Sequence, residues 1–478
     1  FTLNMLRDAS GVIMPFTSSY EGSGSISRFW LYTSKNGITY WDWKQITETT
    51  ALGSGVGYTQ KGDGATGRYI FEGKPNNGTI LVAVDDVGGT GSVDNISKTR
   101  YLLGNPYPSA IDVHEFIDDN MGVIKGYLQV WQQWGGTSHI LNEYQGGYAI
   151  VNKTGSIRAS QFISFYGANT GAQEGTKVPT RYIAVGQGFM AEIENDGVLP
   201  FDGTVEFNNS QRVFIKEADA NPSDDQVGST FSKTSKENSS KSTESKGDTM
   251  QRIRLEFSSV TGPATRQELL LGFSDFTTDG YDYGYDAENT EVSNNALNLD
   301  FEGQNMNIQA YGPITADKVV ALNFSSSGDN TFEIRISELV AIEADQAIYL
   351  RDNLMETYFD LTQDTAYGFG SAQGVFNDRF EIVFQNEQQN LSTEESIITE
   401  NHIYYQNKTN TLFVKKLNSD VSKLSLVNML GQSVLELKDV SRERLEKGLQ
   451  FNNILTGAYI FYMQTDTNEV LTKKIIIK

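Results

Sequence analysis

The 478-residue chain contains no cysteine, and only nine prolines and three histidines. Without cysteine there are no disulfide staples, no thiolate nucleophile and no cysteine-ligated zinc. His114, His139 and His402 lie far apart in sequence and offer no metal-ligand spacing. No apolar run approaches the roughly 18–20 residues that a membrane-spanning helix needs, and no basic-then-apolar leader opens the chain. A start at Phe1 instead of Met is what a mature or trimmed piece of a longer precursor would show, a precursor with room for a catalytic domain upstream. There is no Gly-x-Ser-x-Gly elbow, P-loop or His-Glu-x-x-His helix, so the chain reads as non-enzymatic. Acid pairs such as Asp118–Asp119 are expected by chance among sixty Asp and Glu. Positive charge is also scarce. A formal charge of −22 argues against a nucleic-acid partner, which needs clustered Lys and Arg.

The charge is unevenly distributed. Residues 401–478 hold eleven Lys or Arg and seven Asp or Glu, a balance of +4, so the first 400 residues carry the remaining −26. A basic tail on an acidic remainder suits electrostatic orientation at a carrier.

What the chain does have is the texture of β-structure. Gly, Tyr, Phe, Thr and Val are abundant, and strict alternation marks Arg252-Ile253-Arg254-Leu255-Glu256-Phe257 and Phe332-Glu333-Ile334-Arg335-Ile336. Each such strand is expected to put one face on a core and the other in water. Pro75-Asn76-Asn77-Gly78, between Phe71 and the Leu81–Val84 run, predicts a hairpin turn. One helix is expected over Ser109–Asp119, capped by Ser109 and lined by Ala110, Val113 and Ile117. The stretches 217–248 and 385–400 are polar and nearly devoid of large apolar residues, so they read as a disordered loop and a linker. With roughly three domains expected for this length, the chain divides into a β-rich unit at 1–216, a β-sandwich at 249–384 and a terminal unit at 401–478. The fold class is all-β, built of several sandwiches.

The terminal unit carries the most specific pattern. A short apolar strand containing Leu412 and Val414 is followed by Leu424-Ser425-Leu426-Val427-Asn428-Met429-Leu430-Gly431-Gln432. Then come Gly457-Ala458-Tyr459-Ile460-Phe461-Tyr462 and the ending Lys473-Lys474-Ile475-Ile476-Ile477-Lys478. Gly431 and Gly457 sit between apolar runs where a turn with positive φ favours glycine, and 464–469 reads as a polar hairpin loop. In order and position this resembles the C-terminal sorting domain of type IX secretion system cargo. The resemblance implies a small immunoglobulin-like sandwich engaged by an outer-membrane shuttle barrel and its translocon. It also implies removal by a sortase-like peptidase, a Bacteroidetes origin, and export through the periplasm to the cell surface.

The upstream units are similar, more loosely, to the C-terminal parts of large flavobacterial surface proteins, on phrases such as Leu102-Leu103-Gly104-Asn105-Pro106-Tyr107 and Tyr349-Leu350-Arg351-Asp352-Asn353. Those relatives imply an adhesin, or a surface component of gliding or attachment. Two alternatives remain: the accessory region of a secreted polysaccharide- or peptide-degrading enzyme, and a carbohydrate-binding module. For the latter, Trp41, Trp43, Trp131 and Trp134 are the aromatics that would stack on surface glycans, against core packing as the plainer role. No cofactor is expected. Asp279, Asp282 and Asp286 form the one weak candidate for calcium, since hard carboxylate oxygens on a Gly-containing loop suit that ion. The spacing is not that of an EF-hand, and a strand-end acidic loop is the plainer reading.

Overall fold

A computed structural model describes residues 2–20, 22, 24–37, 42–62, 69–86, 99–135, 145–160, 175–194, 201–215, 250–289, 293, 295–386, 402–415, 417, 419–429, 431–451, 454–467 and 470–477. The polar stretch 217–248 lies outside them, as does nearly all of 385–400. Strands dominate, as the composition predicts.

The largest sheet, of eleven strands, occupies 251–383. Its path runs from Thr357–Asp360 through Tyr349–Asp352, Gly374–Val383, Val319–Ser326, Ala296–Phe301 and Gln304–Tyr311. It continues through Arg266–Phe273, Gln251–Ser259 and Asn330–Val340 to Tyr367–Ser371, and the eleventh strand, Ala287–Glu288, pairs with Gln304–Tyr311 off this path. Alternation drives this sheet to curl. Ile253, Leu255 and Phe257 are fully buried, and so are Phe332 and Ile334 on the neighbouring strand. Phe369, on the last strand of the path, comes within 4.6 Å of the Phe380 ring and 5.2 Å of Phe324, both on strands near the opposite end. Each such phenylalanine contributes about 1.5–3 kcal/mol by leaving water, so the sheet wraps around one aromatic core.

The second face of these strands is not solvated, contrary to the alternation rule. Arg252 and Glu256 are buried, and the Arg266–Phe273 strand is buried without interruption from Gln267 onward. The first half of the chain covers this face. Arg252 Nε donates to the Thr154 carbonyl and Arg254 Nη1 to the Ser156 carbonyl at 2.8 Å. Glu268 accepts from the Arg158 side chain at 2.7 Å and from its backbone N–H at 2.8 Å. Beside these polar links, Tyr127, Ile150 and Ile157 from the first half join Leu270, Ala287 and Ile308 from the second in one buried cluster. Tyr283 also reaches across, its hydroxyl donating to the Ile124 carbonyl at 3.0 Å.

The first half has its own core under a five-stranded sheet, ordered Ser156–Ile157, Gln145–Val151, Ile124–Gly135, Gly188–Ile193 and Arg100–Gly104. A helix packs there through Phe116, 5.4 Å from Phe189 and 5.0 Å from Phe207. It is shorter than expected, spanning Val113–Asp119, and Asp112 caps it by accepting from the His114 N–H at 3.0 Å. Ala110–Asp112 is a strand paired on both sides, so sheet hydrogen bonds take the residues that a longer helix would use. Ser109, the expected cap, instead accepts from Arg212 Nε.

The predicted hairpin is also absent. Ile70–Phe71 pairs with Leu6–Arg7, whereas Ile80–Asp86 pairs with Phe201–Phe207. Long-range partners outcompete the local turn, whose Gly78 N–H donates to Asn209.

Leu270 sits in the cluster shared by the two halves and is 1% exposed. Leu270→Ala is expected to cost about 2–5 kcal/mol by loss of transfer energy and creation of a cavity, measured as a lowered midpoint of chemical denaturation.

Candidate functional site

The terminal unit is a two-sheet sandwich. His402–Gln406, Thr411–Lys415 and Leu449–Gln450 form one sheet. Ser433–Val440, Val421–Asn428, Gly457–Thr465 and Val470–Ile477 form the other, in that spatial order and antiparallel throughout. The residues singled out in the sequence fall into this frame by period 2. Leu412 and Val414 are fully buried between the sheets, with Leu424, Leu426, Phe461 and Met463. Ile475 and Ile477 point into the same core, while Ile476 between them is 56% exposed. Lys473 and Lys474 are exposed on this terminal strand, which forms one edge of its sheet. Tyr459 is buried and its hydroxyl donates to the Leu455 carbonyl at 2.7 Å.

The Asn-x-x-Gly-Gln segment has a direct physical explanation. Asn428 Oδ1 accepts from the Gln432 N–H at 2.9 Å, and Asn428 Nδ2 donates to Gln432 Oε1 at 3.0 Å. The Asn428 N–H donates to the Gln432 carbonyl, and the Gly431 N–H to the Asn428 carbonyl. Gly431 has φ +75°, which an L side chain adopts only with strain. Asn428, Gly431 and Gln432 therefore fix one tight turn between two strands. Gly457 does not share this role: it is not among the residues of positive φ, and opens its strand opposite Ile477. The hairpin between 465 and 470 forms as expected, with Gln464 opposite Val470.

The Ser433–Val440 strand is exposed or half-buried over most of its length, with Val434 40% exposed. The opposite edge, Val470–Ile477, is partly covered where Asn407 Nδ2 donates to the Ile476 carbonyl at 3.1 Å.

The other candidates sit elsewhere. Each carboxylate of the acidic loop has its own donors instead of a shared centre. Asp279 accepts from Lys318 and the Gly312 N–H, and Asp282 accepts from the Thr278 N–H. Asp286, fully buried, accepts from the Ala310 and Asp282 N–H groups, both at 2.7 Å. Among the described residues no three His, Asp or Glu side chains gather as a metal site. Burial pushes the Asp286 carboxyl up to about 7, while its two backbone donors pull the other way.

Of the tryptophans, Trp41 lies outside the described residues, as does the side chain of Trp134. Trp43 is half-buried. Trp131 is 39% exposed, its ring 5.0 Å from Tyr148 on the paired strand. A further exposed aromatic group, Tyr20 against Phe29 at 3.9 Å with Trp30 alongside, was not legible in the sequence, because its members come from separate turns.

Gly431→Val is expected to lower the stability of the terminal sandwich by about 1–3 kcal/mol through forced positive φ, read as a selective loss of hydrogen-exchange protection in 421–440. For Asp286 the folded carboxyl binds a proton more tightly than the unfolded one, ordinarily near 4. Its contribution to stability is complete below the unfolded value and is lost as pH rises through about 7. The stability advantage of the wild type over Asp286→Asn should therefore shrink between pH 5 and about 7.5, measured by denaturant titration at each pH. His114, which burial and the charges of Arg181 and Lys153 depress to about 3, has the opposite slope in both proteins and cancels in the comparison.

Comparison with known families accounts for nearly all of the chain. Residues 12–384 match a domain of unknown function (DUF8693), a single family running through both the first half and the large sheet. Residues 404–478 match the secretion system C-terminal sorting domain. A comparison with curated proteins gives no match. No helix among the described residues is long and apolar enough to cross a membrane. The chain thus belongs to the DUF8693 family and, by its terminal sandwich, is a cargo of the type IX secretion system, exported to the cell surface or beyond.

Proposed function

We propose that this protein is a surface-delivered recognition component, an adhesin or part of a gliding or attachment apparatus, and that its body acts by binding and not by catalysis. The observation that carries the delivery half is the intact sandwich with its Asn428–Gln432 turn and its basic terminal edge strand. An outer-membrane shuttle barrel would read that edge by strand addition or by the charge of Lys473 and Lys474. The binding half is supported by a body built from extensive sheet with a rigid aromatic core, a scaffold suited to holding surface loops apart. A second reading, glycan binding, is favoured by one feature, the exposed Trp131 against Tyr148. An aromatic face of this kind stacks on sugar rings.

The test is expression in a type IX-competent cell with and without residues 401–478. Surface delivery and association with a membrane barrel should both vanish on truncation. Unchanged delivery would contradict the reading of the terminal domain as the address. For the body, loss of adhesion to a surface or glycan in a delivered Trp131→Ala variant would favour the second reading over the first.

A further inference from the structure

The outer face of the sorting domain's four-stranded sheet is not free. Val427 and Tyr462 are only 5% and 4% exposed, yet neither belongs to the sandwich core. Ile460, between the inward-facing Tyr459 and Phe461, packs instead against the aromatic core of the body. What covers this face is the place where the two ends of the large sheet come together, the Thr357–Asp360 strand at one end and Tyr367–Ser371 at the other. The crevice between the two parts is lined by Met355, Tyr367 and Arg379 from the body, and by Asn428, Ile460 and Tyr462 from the tail.

The body side of this contact is built for close approach. A Cβ at Gly370 would lie 2.5 Å from the Met429 carbonyl oxygen and 2.9 Å from its Cα, so only glycine lets the tail's turn sit down on the strand. Beneath it Arg379 is locked. It forms a 3.0 Å ion pair with Asp352, both side chains being nearly inaccessible, and donates to the Gly370 carbonyl at 3.0 Å. Its guanidinium lies 4.8 Å from the Phe369 ring centroid and 4.6 Å from that of Phe380. Tyr367 closes the set by donating to Asp352 at 3.0 Å. A floor fixed in this way loses little freedom when it is covered, which favours association. The charge balance of the two parts, negative for the body and positive for the tail, acts in the same direction.

We propose that the body is a receptor for its own sorting domain, which is held by this contact and not only by the chain between 386 and 402. Scission of that segment therefore leaves the two parts associated. A transport partner that reads the Asn428–Gln432 turn has to displace the body, whereas one that reads the Ser433–Val440 edge does not.

The test inserts a sequence-specific protease site within 387–400 of the full chain, cuts the purified protein at micromolar concentration, and follows both pieces by size-exclusion chromatography. Wild-type pieces should co-elute. In Gly370→Leu, whose new side chain points at Met429, they should separate, with affinity weakened at least tenfold. The melting temperature of the body alone, with and without the substitution, checks that its fold is intact. If that body is destabilised, Tyr462→Asp in the tail replaces it as the separating variant. Separation of the wild-type pieces on cutting would overturn the proposal, as would undiminished co-elution of a correctly folded interface variant.

Discussion

The body depends on the burial of a charged strand face. Arg252, Arg254, Glu256 and Glu268 sit on the back of two strands whose front builds the aromatic core, and that back is covered. A buried charge without a partner costs several kcal/mol, and removing one member of a buried pair typically costs about 3–5 kcal/mol. The partners come from far away in sequence: Thr154, Ser156 and Arg158 from the first half, and Arg335 for Glu256 from the adjoining strand. Parting the halves would break the bonds of Arg252, Arg254 and Glu268 to residues 154–158, and Leu270 with its neighbours would lose its apolar cover as well. The single family match across 12–384 is the evolutionary counterpart of that physical dependence.

The terminal sandwich obeys a simpler rule. Its inner residues alternate into one small core, and its turn is closed by the Asn428 side chain, which bonds both the side chain and the backbone N–H of Gln432. The residues that make it recognisable as a sorting domain are thus first the residues that fold it. Reading by a partner falls to what remains outside: an exposed edge strand, a basic terminal strand, and a face that rests on the body. Destination is set by this unit.

How much was legible in the sequence depended on the range of the interactions. Period-2 runs such as Ile253-Arg254-Leu255-Glu256-Phe257 give strands, and the ordered motifs from Leu412 to Ile477 give the sorting sandwich, because both are local patterns. The same alternation misleads about Arg252 and Glu256, since nothing local says that residues 154–158 will cover them. A better signal was present in Leu269-Leu270-Leu271-Gly272-Phe273, an unbroken apolar run of the kind a strand buried on both faces requires. The helix start shifted from Ser109 to Asp112, and the Pro75–Gly78 hairpin failed, for one reason: distant strands offered better backbone partners. The seat of the tail on Gly370 was invisible, because the two glycines of Tyr367-Gly368-Phe369-Gly370-Ser371 do not reveal which of them is approached, or by what.

The claim that the body is one cooperative unit has a built-in probe. All five tryptophans lie at or before residue 134, so their fluorescence reports only the first half, while most of the far-ultraviolet β signal of residues 251–384 comes from the large sheet. Equilibrium denaturation of residues 1–386, followed by both signals, tests the claim directly. Coincident transitions with one midpoint are what a shared core and a shared charged face predict. Two separated transitions, with the tryptophan signal lost while the sheet persists, would contradict it.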